Sequence, residues 1–117
     1  MPSNHWDQEF PASITVCDAD GIILEMNNKA LETFATEGGI RLLGTNLLEC
    51  HPEPARSRVA ELLKKQQSNV YTIQKNGIRK LIYQSPWFDN GRFAGIVELS
   101  LPLPDVIPHF NRDVANE

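Results

Sequence analysis

Apolar and polar residues alternate in short blocks, and these blocks predict strands towards both ends of the chain and helices in the middle. Residues 14–17 and 22–26 are two apolar runs on either side of an Asp-Gly turn, a pattern typical of a β-hairpin. Three further strands are predicted over residues 69–74, 78–87 and 93–101, joined by short turns that contain glycine. Because such turns join antiparallel neighbours, we expect these three strands to form a meander.

The middle of the chain carries two helical patterns. Residues 29–35 follow an Asn-Asn pair and place Phe34 on an apolar stripe, and an asparagine can cap such a helix by accepting from unpaired backbone N–H groups. Residues 52–67 form the strongest helical pattern, with Val59 on the buried stripe, whereas residues 40–52 are expected to be irregular. The order of elements lacks βαβ alternation, so we predict an α+β fold in which five antiparallel strands carry helices on one face.

A chain of 117 residues has the length of one domain. We expect a core over about residues 12–102, an N-terminal cap over residues 1–11 and a polar tail over residues 103–117. Trp6 and Phe10 lie four positions apart, which predicts a short helix that lays one side on the domain.

Composition and charge exclude several classes of protein. The hydrophobic fraction of 41% and charged fraction of 22% are ordinary for a globular domain. A net charge of −4 and scattered basic residues argue against nucleic-acid binding. No apolar run approaches the length of a membrane span, and the N-terminus has no signal-peptide pattern. We therefore expect a cytoplasmic protein with reduced thiols.

Few side chains point to chemistry. Cys50 and His51 are adjacent soft ligands, but no further histidine or cysteine has metal-site spacing, so local hydrogen bonds of His51 are the preferred interpretation and no metal is expected. Asp18 lies in the predicted turn, where hydrogen bonds to nearby backbone explain it better than catalysis. The chain has no nucleophile elbow and no phosphate-binding glycine loop, so we do not expect an enzyme.

The order of the predicted strands and helices, together with their motifs, resembles that of a PAS domain over about residues 14–101. More narrowly, it resembles a PAS subgroup found in bacterial and archaeal regulatory proteins. The resemblance rests on the hairpin of residues 14–27 with Asp18-Ala19-Asp20-Gly21, the helix from Lys29 to Phe34, Leu43-Gly44, Glu49-Cys50-His51-Pro52, Phe93-Ala94-Gly95 and Gly95-Ile96-Val97-Glu98-Leu99.

One feature departs from the family. PAS domains often continue from the last strand into a signalling helix, but here Pro102 and Pro104 follow that strand, and proline clashes within a helix. We therefore expect any output to pass through a partner protein or a second copy of the chain.

The resemblance implies a ligand pocket between the sheet and the helices. Apolar side chains would line its wall, and a few polar groups on the strands would orient the ligand. The predicted ligand contacts are Phe34, Leu47, His51, Val59, Arg79, Tyr83 and Gln84. The resemblance also implies a homodimer, formed through Trp6, Phe10 and the outer face of the sheet.

The predicted function is therefore a sensory and signal-transduction module that binds a small molecule or a protein partner and acts through dimerisation. Two alternatives remain open at this point: a small enzyme on a similar scaffold, with His51, Asp18 and Arg79 as candidates, and a domain that dimerises without a ligand. The cofactor is unknown. The sequence supports neither haem, since His51 has no second His or Cys at helical spacing, nor flavin, since neither cysteine lies in a flavin-binding motif.

Overall fold

Five strands form one antiparallel sheet in the order β2-β1-β5-β4-β3 in the computed structural model, which describes residues 5–50 and 52–113. The strands are β1 Ser13–Asp18, β2 Ile23–Met26, β3 Asn69–Lys75, β4 Ile78–Asp89 and β5 Arg92–Pro102. Two α-helices, α1 Asn28–Thr33 and α2 Ala55–Lys65, and three short 3-10 segments, Ala35–Glu37, Gly39–Leu42 and Leu47–Cys50, connect β2 to β3. The predicted α+β fold, its hairpin and its meander are confirmed.

The strand register divides the sheet into an inner face, towards the helical segments, and an outer face. On β1 the buried residues alternate with half-buried ones, as the two-residue period of a strand requires. The inner face carries Thr15, Cys17, Ile82, Gln84, Ile96 and Glu98. The outer face carries Ile14, Val16, Leu81, Tyr83, Val97 and Leu99.

Asn27 joins the first helix to the hairpin. Its side chain is 2% exposed, and its Oδ1 accepts from the backbone N–H of Ala30 at 3.0 Å, which confirms the predicted helix cap, and from that of Ile14 at 2.9 Å. Its Nδ2 donates to the carbonyls of Asp7 and Ala12, both at 2.8 Å. One side chain thus ties the N-terminal segment, β1 and α1 together.

The N-terminal segment corrects one expectation. Residues 6–9 form a turn instead of the predicted short helix. The backbone N–H groups of Gln8 and Phe10 donate to the carbonyls of His5 and Asp7, and Pro11 has no N–H to extend this turn into a helix. Trp6 packs edge-to-face on Phe10, with ring centroids 5.7 Å apart, and remains 69% exposed.

The middle of the chain differs from the prediction in two places: one stretch is more regular than expected, and one helix is shorter. Part of the stretch expected to be irregular forms the 3-10 segments Gly39–Leu42 and Leu47–Cys50. Helix α2 begins after Pro54 and ends at Gln66, whose left-handed backbone cannot continue the helix. It is therefore shorter than the predicted range of 52–67.

Gly95 marks a close approach between β1 and β5. Its φ is 145°, and a Cβ at this position would collide with the carbonyl oxygen of Cys17. The same carbonyl accepts a hydrogen bond of 3.0 Å from Nε1 of Trp87. Only glycine fits at this point of the sheet.

Candidate functional site

A cavity of about 180 Å³ lies between the inner face of the sheet and the helical segments. Its lining residues are mostly apolar, with a small polar group on the sheet. They are Thr15, Cys17, Ile23, Met26, Phe34, Glu37, Leu42, Leu47, Val59, Leu62, Gln84, Ile96 and Glu98. An enclosed apolar wall with a few placed polar groups is the usual composition of a small-molecule site.

The polar groups form a row across four strands, which we call the polar row: Thr15, Glu98, Gln84 and Asn69. Thr15 lies directly opposite Glu98, Glu98 opposite Gln84, and Gln84 opposite Asn69. Nδ2 of Asn69 donates to Oε1 of Gln84 at 3.0 Å, and Nε2 of Gln84 donates to Oε2 of Glu98 at 2.6 Å. The hydrogen bonds therefore run in one direction and end on the Glu98 carboxylate.

Thr15 ends the row differently. It is 7% exposed, and its Oγ1 has no hydrogen-bond partner among the described residues. A buried hydroxyl without a partner is unfavourable, so such a group in a cavity wall suggests that something else hydrogen-bonds to it.

Cys17 is the other inner-face residue of β1 in the cavity wall. It is 1% exposed, and burial raises the pKa of its thiol. A buried neutral thiol behaves as a small apolar group, so it adds to the apolar wall.

A second, more open pocket of about 230 Å³ adjoins the cavity and shares Val59, Gln84 and Glu98 with it. Arg58 on α2 and Tyr71 on β3 line this pocket. Burial raises the pKa of the Tyr71 hydroxyl, the nearby charge of Glu98 raises it further, and Arg58 opposes the shift. The two pockets together lead from the polar row to the surface beside α2.

Four of the seven predicted ligand contacts lie in the wall of the cavity: Phe34, Leu47, Val59 and Gln84. The placement of Arg79 and Tyr83 requires correction. Ile82 and Gln84 occupy even-numbered positions of β4 and face inwards, whereas Arg79 and Tyr83 occupy odd-numbered positions. Their side chains therefore project from the outer face, where Arg79 is exposed and Tyr83 is 39% exposed. The remaining contact, His51, lies outside the described residues.

Sequence reasoning missed Thr15 and Glu98. Glu98 is the only charged residue in the predicted final strand, residues 93–101, and this was the available signal in the sequence. The position of Glu98 in the cavity wall depends on the strand register, because only the pairing of β5 with β1 and β4 brings its carboxylate between Thr15 and Gln84.

The residues considered for catalysis do not come together in the part of the chain that the structure describes. Oδ1 of Asp18 accepts from the backbone N–H groups of Asp20 and Ile22, both at 2.9 Å, as expected for a turn residue. Arg79 lies on the outer face. Within residues 5–50 and 52–113, no group of three or more His, Cys, Asp or Glu side chains is placed to hold a metal ion.

A five-stranded antiparallel sheet with helices on one face and a cavity between them defines a small α+β domain. The family model of the PAS fold matches residues 8–69, more than half of the chain, and the chain belongs to the PAS family. The resemblance inferred from the motifs is thereby confirmed. PAS domains are typically sensory, non-catalytic modules of histidine kinases and receptors.

Solved structures share the fold at low sequence identity. A C-terminal domain from Streptococcus mutans is 20% identical with a TM-score of 0.67, and the match covers 87% of this chain and 90% of that one. The PAS domain of BvgS from Bordetella pertussis is 23% identical with a TM-score of 0.63, covering 85% and 82%. The PAS domain of the histidine kinase ThkA is 19% identical with a TM-score of 0.61, covering 77% and 97%.

No curated protein matches the sequence at a significant level. Among the described residues, no helix has both the length and the apolar character needed to cross a bilayer.

Proposed function

We propose that this PAS domain is a cytoplasmic sensory module that binds a small molecule in the cavity between the inner face and α2, and signals through contact with a second copy. The observation that carries the proposal is the cavity of about 180 Å³, whose apolar wall meets the polar row. A wall of this composition favours a ligand with an apolar body and a single polar end.

Predicted and newly found residues take complementary parts in this proposal. Phe34, Leu47 and Val59 would contact the apolar body of the ligand, and Gln84 would orient its polar end through Glu98. We retain His51 as a candidate contact on sequence grounds alone.

Native mass spectrometry of the purified protein tests ligand binding directly. We expect a retained small molecule on the wild-type chain and its loss in Val59→Phe, because the larger side chain projects into both pockets. Val70→Phe is the matched control, since Val70 lies on β3 and is 50% exposed outside the cavity. Equal retention by both variants would place the ligand elsewhere.

An absorption spectrum of the same sample identifies a chromophore. Haem and flavin absorb in the range of roughly 350 to 450 nm. We expect no band there, since the sequence supports neither cofactor. A band that disappears in Val59→Phe would instead identify the ligand as a chromophore in this cavity.

Self-association is the second part of the proposal. Trp6 is 69% exposed and Phe10 is 38% exposed, and the outer face adds half-buried apolar side chains such as Val97 and Leu99. Covering them would remove apolar surface from water, which favours association. Pro102, at the end of β5, and Pro104 disfavour a continuous output helix, so the proposed route for output is a second copy or a partner protein.

Sedimentation velocity tests this surface. We expect the wild-type chain to sediment as a dimer and the double variant Trp6→Ala/Phe10→Ala as a monomer. Phe110→Ala is the control, because Phe110 is 70% exposed but lies in the C-terminal tail. A dimer that survives the double variant would assign the contact to another surface.

A module that dimerises without a ligand is the alternative. It predicts an intact dimer and no retained small molecule. The two experiments together separate this alternative from the proposal.

A further inference from the structure

We propose that the cavity is specific for a small cationic ligand, in which a protonated amine is carried on an apolar group about the size of one ring. This inference rests on the proposed function, because it names the chemistry of the ligand that the cavity would bind. It is carried by the direction of the hydrogen bonds in the polar row and by the unpartnered hydroxyl of Thr15.

The polar row leaves hydrogen-bond acceptors at its β1 end. One N–H of Asn69 and one N–H of Gln84 donate along the row, and both of these hydrogen bonds point towards Glu98. A carboxylate accepts through two oxygens. Oε2 of Glu98 accepts from Gln84, while Oε1 accepts no hydrogen bond from the described residues. Glu98 therefore offers acceptor capacity to a ligand.

Thr15 provides a second polar contact beside Glu98. The two residues lie directly opposite each other on β1 and β5, where cross-strand Cβ atoms are about 5 Å apart. The Thr15 hydroxyl is buried, lines the cavity and has no partner among the described residues. A donor group placed between the two residues could bond to both, and a primary ammonium has three such donors.

Charge selects a cation over an anion. Glu98 and Glu37 both line the cavity, and neither forms an ion pair with a described lysine or arginine. Arg58 is a nearby positive charge that lines the outer pocket together with Tyr71 and Glu98, but it does not line the inner cavity. An anionic ligand in the inner cavity would face the Glu98 carboxylate with no described cationic side chain in the cavity wall, whereas an ammonium would neutralise that carboxylate.

The volume of the cavity limits the apolar part of the ligand. An apolar cavity of about 150 Å³ holds one benzene molecule. The cavity here is about 180 Å³, which leaves room for one ring and a short polar arm. Its apolar wall, formed by residues such as Ile23, Phe34 and Leu47, suits a ring better than a polar chain.

The test uses four probes of similar shape: benzylamine, benzyl alcohol, benzoate and toluene. Ligands of this size bind with dissociation constants between about 10 µM and 1 mM, so each probe is titrated by calorimetry to about 5 mM. We expect benzylamine to bind at least about tenfold more tightly than benzyl alcohol and to raise Tm by about 5 °C near saturation. We expect no binding of benzoate.

Two variants assign the selectivity to the polar row. Glu98→Gln keeps an acceptor for Gln84 but removes the charge, so we expect benzylamine to lose about tenfold to a hundredfold in affinity while benzyl alcohol changes little. Thr15→Val replaces the hydroxyl with a methyl group of similar size. We expect it to raise the Tm of the free protein and to weaken benzylamine about threefold to tenfold. Circular dichroism confirms that each variant is folded.

The outcomes separate the inference from the proposed function. Tighter binding of benzoate or toluene than of benzylamine would overturn the inference and leave a small-molecule site in place. Unchanged benzylamine affinity in Thr15→Val would mean that a water molecule satisfies the hydroxyl, and it would overturn the assignment of Thr15. A failure of all four probes, together with no retained molecule by native mass spectrometry, would overturn the inference and the proposed function together.

Discussion

Replacing Asn27 by alanine should destabilise the domain more than any other single polar-to-alanine change that we can identify. Removing the helix cap at Ala30 costs about 1 kcal/mol. The backbone N–H of Ile14 would lose its partner in a part-buried site, at a cost of about 1–3 kcal/mol. The carbonyls of Asp7 and Ala12 would lose a donor, at a combined cost of about 1 kcal/mol, because water can reach the carbonyl of Asp7 more easily than that of Ala12. The sum is about 3–5 kcal/mol.

Urea denaturation followed by tryptophan fluorescence measures this loss. With a slope of about 1–3 kcal/mol/M for a small protein, the midpoint of unfolding should fall by roughly 2 M in Asn27→Ala. Asn28→Ala is the matched control, because Asn28 is exposed and its backbone N–H, which alanine keeps, donates to the carbonyl of Gln8. A loss below about 1 kcal/mol, or one equal to that of the control, would refute the central role of Asn27.

A second substitution tests the donor half of the same side chain. Asn27→Asp keeps an acceptor for Ala30 and Ile14 but turns an oxygen towards two carbonyls. We expect it to be unstable at neutral pH and partly restored by acid, because a protonated carboxyl can donate to one carbonyl. A stability of the variant that falls steadily as the pH is lowered would contradict this account.

Three further predictions concern other parts of the molecule. Gly95→Ala should lower the free energy of unfolding by about 3 kcal/mol through collision and strain, and Gly91→Ala, where a Cβ meets nothing, by only about 1 kcal/mol; equal losses in urea would contradict the close approach. In a variant without the second cysteine, Cys17 should react with Ellman's reagent at least about tenfold more slowly in the native than in the denatured state, because burial raises its pKa; equal rates would show an accessible thiol. The Glu53 carboxylate accepts hydrogen bonds from the hydroxyl and the backbone N–H of a serine in α2, and these bonds lower its pKa. Glu53→Gln should therefore destabilise the domain most at pH values well above the ordinary pKa of 4.5, and not at all below the folded-state pKa. A loss of stability that does not depend on pH would refute this prediction.

Local signals in the sequence predicted the parts of the fold that local physics determines. The Asp-Gly hairpin and the cap at Asn27 each depend on a few consecutive residues, and both are present. The N-terminal helix predicted from Trp6 and Phe10 is wrong, because Pro11 has no N–H to complete a helical turn, and a side chain twenty positions away fixes the segment by donating to the carbonyl of Asp7.

The candidate site shows the same limit. Phe34, Leu47 and Val59 were placed in the cavity wall because helical stripes and apolar anchors already indicate the core side. Arg79 and Tyr83 were misplaced because the inward-facing parity of β4 follows from the register of the whole sheet. The functional meaning of Glu98 also depends on that register, because two neighbouring strands bring Thr15 and Gln84 to either side of it.

A crystal structure of the protein with benzylamine bound tests the central claim most directly. The account predicts electron density for the ring between the inner face and α2, in contact with Val59, and an amine within hydrogen-bond distance of Thr15 Oγ1 and the Glu98 carboxylate. Density on the outer face of the sheet, or an inner cavity closed by its own side chains while the ligand lies elsewhere, would contradict it.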